Sequence, residues 1–373
     1  MNGGGLLVVV GDLLLDREVL GSVDRLCPEA PVPVLRETSI LDRPGGAGLG
    51  ALFAASGDRE VVLIAAVSAD DAGDRLRELV TGAGVRLVEL PLHGPTPEKI
   101  RLRSAGHLLM RLDRGDAPVP VGRAPAEALA ALHGAGAILV CDYGRGVAAQ
   151  PQLRAALTER AQCAPLVWDP HPRGEAPVPA ARLVTPNRAE ADGFVAARAN
   201  GSTSGEWPLA AVLRPVGVPD TVNGKGSKGN GNGRHHAPTP LDAATSDLAS
   251  AASAAVRLRR LWSAGAVVVT LAERGAVLSD GVHPPLLIPT PFPAHGDGCG
   301  AGDRFAAAAV SALAGGANAL DAVTAAVTAA TACVAAGGAL ALHPELHRRS
   351  DGAPPVGTPG SRSLSTVDEG SET

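Results

Sequence analysis

Aromatic residues are scarce in this chain: they make up 2% of 373 residues, and there is a single tyrosine. Proteins that grip single-stranded nucleic acid stack bases on such rings, so that class of partner is disfavoured. Excess charge is lacking too. The 33 Lys+Arg and 38 Asp+Glu leave a net −5, which offers no counterion-release drive toward nucleic acid and no attraction to anionic lipid. Neither nucleic acid nor a membrane is an expected partner. The five cysteines (Cys27, Cys141, Cys163, Cys299, Cys333) never fall in a CxxC pair. They suggest neither a disulfide framework nor a zinc site, and reduced thiols are expected. Long apolar runs are missing as well. Leu6–Val10 has no basic flank and runs directly into Gly11-Asp12, unlike a secretion signal. The alanine-rich stretch Phe305–Leu342 is interrupted by Gly315, Gly316, Asn318 and Asp321, and reads as two packed helices rather than a membrane span. A cytoplasmic protein is expected.

The chain does contain short continuous apolar runs. Leu6–Val10, Val61–Val67, Ala137–Val140, Leu166–Trp168, Arg182–Thr185 and Ala266–Thr270 suit strands buried on both faces. Between them, Ala124–His133 and Pro151–Gln162 suit amphipathic helices. This alternation predicts an α/β fold with a mostly parallel sheet covered on both sides, and ligands bound beyond the carboxyl ends of its strands. Two proline-bounded, β-leaning segments, at about 17–40 and 93–113, break the rhythm and predict a small β lid. Residues 200–244, rich in Gly, Asn and Ser, are expected to be a disordered insertion, and 346–373 a disordered tail.

The sharpest signal is Asp297-Gly-Cys-Gly-Ala-Gly-Asp303, followed by the expected Phe305–Leu313 helix. Gly300 and Gly302 let the backbone approach an anion, and the amides opening the helix point at it. Asp303 sits where a carboxylate can take a proton from an attacking hydroxyl. An anion hole beside a base is what phosphoryl transfer to an alcohol requires. The plain alternative is a glycine-rich turn with Asp as a helix cap. His235-His236 reads as solvated, Cys299 as a small spacer, and His295 as either a nucleotide contact or a turn cap.

With Gly-Ala-Gly-Asp in place, the chain resembles the PfkB (ribokinase-like) carbohydrate kinases, whose signature is D-T-x-G-A-G-D; Gly298 stands in place of its Thr. The resemblance implies a three-layer α/β/α core, Asp303 as catalytic base, and Gly300, Ala301 and Gly302 as the anion hole. Gly45-Gly46 matches the substrate-contacting glycine pair. Thr185-Pro-Asn-Arg-Ala-Glu190 matches T-P-N-x-x-E, implying that Asn187 and Glu190 organise magnesium and phosphates, Glu190 through water. Val269-Thr-Leu-Ala-Glu-Arg-Gly275 matches V-T-x-G-x-x-G, which places Thr270 and Gly275, with Asp297, near the nucleotide; Ala272 replaces a glycine there. ATP and Mg2+ are the implied cofactors, and a monovalent cation is compatible. The resemblance spans about Leu6–Leu342 without the insertion, so one kinase domain over 1–345 is expected.

Within the family the resemblance runs to the kinases of D-glycero-β-D-manno-heptose 7-phosphate. It rests on Gly11-Asp-Leu-Leu-Leu-Asp-Arg17, Arg25-Leu-Cys-Pro-Glu-Ala-Pro-Val-Pro-Val34, Arg43-Pro-Gly-Gly-Ala47, Lys99-Ile-Arg101, Arg111-Leu-Asp113 and Asp142-Tyr-Gly-Arg-Gly146. Asp12 and Asp16 are placed to accept from sugar hydroxyls. Lys99, Arg101 and Arg111 are placed to neutralise a phosphate on the sugar. Lys99 is one of only three lysines in the chain. Glu29 either faces substrate or caps a turn. Leu49 replaces a substrate-contacting Asn, His171 a Lys in D-P-K, and Arg145 a Lys. A kinase for another sugar phosphate and a non-catalytic nucleotide- or sugar-binding relative therefore stay open as rivals. No H-x-G-H nucleotidyltransferase motif occurs, so a kinase unit standing alone is expected, and lid-to-lid pairing implies a homodimer.

Overall fold

The computed structural model describes residues 5–56, 59–115, 117, 119–197 and 240–339. Most of the 200–244 insertion and the whole 346–373 tail lie outside the described residues. The end of the first does not: a helix (Pro240–Trp262) already covers 240–244.

Strand β1 (Leu7–Gly11) sits at the centre of the main sheet. Its residues alternate between two cores, Leu7 and Val9 on one side, Val8 and Val10 on the other, all fully buried. That two-sided burial is why the run is continuously apolar. Parallel to β1 lie β4 (Val61–Val67) and then β5 (Arg86–Pro91) on one side. On the other side follow β8 (Ala137–Cys141), β9 (Leu166–Asp169), β10 (Leu183–Val184) and β11 (Val267–Thr270), all parallel. The antiparallel strands β12 (Ala276–Ser279) and β13 (Leu286–Ile288) complete nine. The chain reverses its direction of travel across the sheet between β1 and β8, and such a switch point opens a crevice at the carboxyl ends.

Helices α1 (Ala47–Ala55), α2 (Asp71–Gly82), α7 (Ala301–Ala314) and α8 (Ala319–Ala335) cover one face. Helices α3 (Ala126–Gly134), α4 (Pro151–Arg160), α5 (Arg188–Ala197) and α6 (Pro240–Trp262) cover the other. The alanine-rich stretch forms α7 and α8, packed on the sheet through Ala306, Ala307, Ala322 and Ala326. No helix among the described residues is long and apolar enough to cross a membrane.

A second sheet of four strands, in the order β3-β2-β6-β7, stands beside this body: β2 (Leu13–Cys27), β3 (Ala30–Gly46), β6 (Glu98–Ser104) and β7 (His107–Arg114). Strands β2 and β3 overrun the expected 17–40 segment at both ends. They turn back at Pro28-Glu29, so Glu29 lies exposed at a hairpin tip.

Asp70 joins the two sheets' surroundings. Its carboxylate accepts from the Gly73 N–H, capping α2, and from the Thr96 N–H on the approach to β6, both at 2.8 Å. Burial works to raise its pKa, but bonds from Thr96 and Gly73 and the charge of Arg77 outweigh it, and the value is lowered from 3.8. A depressed folded value stabilises above the unfolded pKa and is lost as pH falls through the folded one. Asp70→Ala is expected to cost about 1 kcal/mol at neutral pH. The cost should shrink below about pH 4, as read from urea midpoints at the two pH values.

Candidate active site

The carboxyl ends of β1 and β8 meet at the switch point. Strand β8 ends at Cys141, and the chain then carries Asp142 and the sole tyrosine, Tyr143, into a turn over 143–147. Asp12, following β1, anchors that turn: its carboxylate accepts from the backbone N–H of Tyr143 (2.9 Å), Arg145 (2.9 Å) and Val147 (3.0 Å). Asp12 is 2% exposed. Three amides thus give Asp12 a scaffolding task, which stands beside the sugar-hydroxyl contact expected of it.

Asp303 lies in the first turn of α7, which starts at Ala301 rather than at Phe305 as expected. It is buried and accepts from the Tyr143 hydroxyl at 2.7 Å. Burial pushes its pKa up to about 7. The Asp16 charge adds to this, while the Tyr143 bond and Lys99 hold it down. A carboxyl poised near neutrality in a cleft is suited to proton exchange.

Gly300 caps α7 with a φ of +82°, the left-handed region that favours glycine. A Cβ there would lie 2.9 Å from Leu49 Cδ2 and 3.0 Å from Ala339 Cβ. Leu49, read from the sequence as a lost hydroxyl partner, is instead a core side chain beneath the glycine loop, 3% exposed. Asp297 steadies that loop by accepting from the Cys299 N–H at 2.9 Å. The Ala301 N–H donates to the Gly298 carbonyl (3.1 Å). Among the described residues the Gly300 and Gly302 amides have no such backbone partner, which leaves them free to donate to a ligand.

Gly45 and Gly46 end β3 and lead into α1. Gly46, at φ +61°, presses against the Asp12 carbonyl, and Gly45 against Asp16. Their role in the structure is close approach of the lid's root to the cleft floor.

The lid face toward the cleft follows from register. Asp16 pairs with Lys99, Glu18 with Arg101, and Arg101 with Arg111, placing these side chains on one face. Arg101 donates to Asp16 at 2.8 Å, Arg111 forks onto Asp113 at 2.7 Å, and Arg43 and Arg103 lie 3.2 and 3.4 Å from Glu18. Arg101 and Arg111 are thus paired with acids rather than standing free. Lys99 has no ion-pair partner among the described residues. Its pKa is lowered, first by burial and then by Arg111, Arg145 and Arg101, against the pull of Asp16. Its ammonium lies 5.6 Å from the Tyr143 ring centre, and His171 stacks on that ring at 6.3 Å.

Beyond α7, a cavity of about 370 Å³ opens between Thr270, Gly275, Gly302, Phe305, Val327 and Thr331. Ala272, standing for a glycine, takes a φ of +51° in the turn below it. Asn187 and Glu190 form a reciprocal cap on α5: the Asn187 N–H donates to Glu190 (2.9 Å) and the Glu190 N–H to Asn187 (3.0 Å). Asn187 also bridges to Thr270.

No group of three or more His, Cys, Asp or Glu among the described residues is arranged to hold a metal ion by itself. Burial nevertheless raises the pKa of Asp169 and Glu190, with Asp303 and Glu190 adding to the rise at Asp169. Crowded carboxyls of this kind fit a divalent cation carried in on phosphates, which takes few protein ligands.

Tyr143, Arg43, Glu18 and Arg103 were absent from the residues singled out by sequence. Tyr143 does carry a signal in the sequence: it is the sole tyrosine and it falls within Asp142-Tyr-Gly-Arg-Gly146.

Comparison with known proteins bears on this arrangement. The profile described as "pfkB family carbohydrate kinase" matches residues 241–346. The chain is 46% identical over 349 residues to the "Bifunctional protein HldE" of Streptomyces coelicolor, covering 94% of this chain and 64% of that protein. It is 32% identical to the protein of the same name from Nitrosococcus oceani, covering 83% of this chain and 56% of that one. The chain therefore spans less than two thirds of the length of these relatives. Among solved structures, Arabidopsis thaliana ribokinase complexed with ribose and ATP superimposes with a TM-score of 0.57 at 17% identity, over 93% of this chain and 99% of that one. At that identity the likeness speaks for the fold.

Proposed function

The chain belongs to the pfkB family of carbohydrate kinases, and from that premise we propose that it transfers the γ-phosphoryl of ATP to a hydroxyl of D-glycero-β-D-manno-heptose 7-phosphate. The products are the 1,7-bisphosphate and ADP. The observation that carries this reading is the buried carboxyl Asp303 in the first turn of α7, with the charge of Lys99, which makes no ion pair among the described residues, acting to lower its pKa.

In the proposed step the acceptor O–H gives its proton to Asp303 as its oxygen bonds to the γ-phosphorus. The bond from phosphorus to the β,γ-bridging oxygen breaks, and ADP leaves with that electron pair. The Gly300 and Gly302 amides and the α7 dipole receive the charge on the equatorial oxygens. The adenosine would occupy the cavity by Thr270 and Gly275. Magnesium, when bound, neutralises the ATP phosphates; Glu190 would hold it through water, with Asn187 at the phosphates. Asp16, oriented by Arg101 and 3.7 Å from Arg43, would meet a sugar hydroxyl. Lys99 would take the acceptor's own phosphate, joined by Arg101 and Arg111.

A second copy of the chain fits the outer side of the lid, where Ile40, Leu108, Met110 and Leu112 are exposed. We read this as a homodimer contact.

Lys99→Met keeps the stem and removes the charge. It is expected to raise KM for the sugar phosphate about tenfold or more, as for a lost charge-assisted bond. KM for ATP should stay near its wild-type value; steady-state kinetics check this. The substrate itself is tested by ADP release with ATP, Mg2+ and heptose 7-phosphate against a panel of sugars and sugar phosphates. Much faster turnover of another acceptor would refute the heptose reading. That rival, a kinase for a different sugar phosphate, draws on His171, which places an imidazole with a lowered pKa on the Tyr143 ring. ATP binding without turnover of any acceptor would favour a non-catalytic role.

A further inference from the structure

We propose that Tyr143 is a positioning residue for this reaction: its phenol holds one oxygen of Asp303 so that the other faces the acceptor hydroxyl. The proposal rests on the kinase reading above and adds a residue to it.

The geometry is specific. The phenol O–H donates to Asp303 Oδ1 at 2.7 Å, across 160 positions of sequence. A carboxylate at a helix start can rotate, and a base that rotates presents its lone pair to the acceptor only part of the time. One fixed oxygen removes that freedom.

Tyr143 is itself held from several sides. Its backbone N–H and those of Arg145 and Val147 converge on Asp12. The ring lies against Gly46, where a Cβ would stand 3.4 Å from Cδ2. His171 stacks on the ring and the Lys99 ammonium lies over it. Asp12, Gly46 and His171 therefore act on Asp303 through Tyr143. That gives each of them a task without contact to substrate.

The electrostatics agree in sign. Groups that face or influence Asp303 are Asp16 from β2, Lys99 from β6, Cys141 at the end of β8, Asp169 at the end of β9 and Cys333 from α8. Burial raises Asp303 to about 7, and the phenol is the first of the influences that lower it. Removing the phenol must push Asp303 higher still and shift the acid limb of kcat/KM to higher pH. Burial, then Asp303 and other nearby acids, push the Tyr143 phenol itself well above its usual value.

Tyr143→Phe keeps the ring and its stacking. The expected result is a fall in kcat of roughly tenfold at pH 7, with the acid limb about one pH unit higher and KM for ATP unchanged. A ring with a purely structural role would not move that limb. An unchanged limb and kcat would overturn the proposal. A second measurement does not need turnover. Because the chain has one tyrosine, its tyrosinate absorbance reports this phenol alone. Asp303→Asn should let it ionise at lower pH than in the wild type. Coincident titrations would overturn the contact, whether or not any sugar is phosphorylated. Separated titrations with no turnover would leave the contact standing and sink the kinase reading instead.

Discussion

Asp303→Asn is expected to lower turnover by roughly 10²–10⁴-fold, the usual loss on removing a general base. The substitution is close to isosteric. Its amide oxygen can still accept from the Tyr143 phenol, so the α7 turn and the ATP cavity keep their shape and ATP affinity should hold. The same variant should also be more stable. Burial and the Asp16 charge raise Asp303 from 3.8 to about 7. A carboxyl whose folded pKa lies above its unfolded value favours the fold only below the unfolded value. It counts increasingly against the fold as pH climbs through the window from 3.8 to about 7. Removing that ionisation is expected to add roughly 1–4 kcal/mol at neutral pH and nothing below about pH 4. Thermal unfolding at the two pH values, beside ADP release at neutral pH, checks both halves. A less stable Asn variant at neutral pH would contradict the burial argument, and an active one would contradict the base assignment.

Gly300→Val should abolish activity by another route. Valine at a φ of +82° pays the left-handed penalty of roughly 1–2 kcal/mol, and its Cβ arrives within 3.0 Å of Leu49 and Ala339. The loop must shift, and the Gly300 and Gly302 amides lose their aim at the transferring group. Misplacing such donors costs roughly 10²–10³-fold in kcat. Pairing the substitution with Leu49→Ala separates the causes. The double variant relieves the clash with Leu49, keeps that with Ala339 and leaves the backbone strained, so packing around the loop should improve in part while kcat stays low. Full recovery of kcat would mean the clash, not the dihedral, was decisive. Urea unfolding and single-turnover ADP formation read the two quantities independently.

The central strands were legible from sequence because burial on both faces writes a continuous apolar run, as in Val61–Val67. The glycine-rich turn was legible because its chemistry is local: Asp297 to Asp303 bends, caps and starts a helix within seven positions. Strands β5, β12 and β13 escaped: Arg86 and Glu89 break the apolar run of the edge strand β5, β13 is three residues long at the other edge, and β12 is a four-residue run just behind a turn. The fate of Asp12 escaped for a different reason. Nothing near it in sequence reveals that three amides over 130 positions away converge on its oxygens. Arg101 looks like a free cation in sequence because its partner Asp16 lies on another strand, and Arg111 because its partner Asp113, two residues on, joins it only on the same face of β7. Asn187 and Glu190 carry both meanings at once, since N-x-x-E is a helix cap as well as a family motif.

The crossed charges on the lid's inner face also guard strand alignment. A β-ribbon as long as β2 and β3, with exposed polar stretches on both sides, is open to sliding by a residue. One step of slip between β2 and β6 would turn Arg101 and Lys99 to the outer apolar side and leave Asp16 and Glu18 with Arg43 of β3 alone. Such misaligned lids would present bare edges and charges that attract other chains. The acids and arginines therefore form a lock on the correct alignment, and engineering of the acceptor pocket is best done in matched pairs, exchanging an arginine together with its acid.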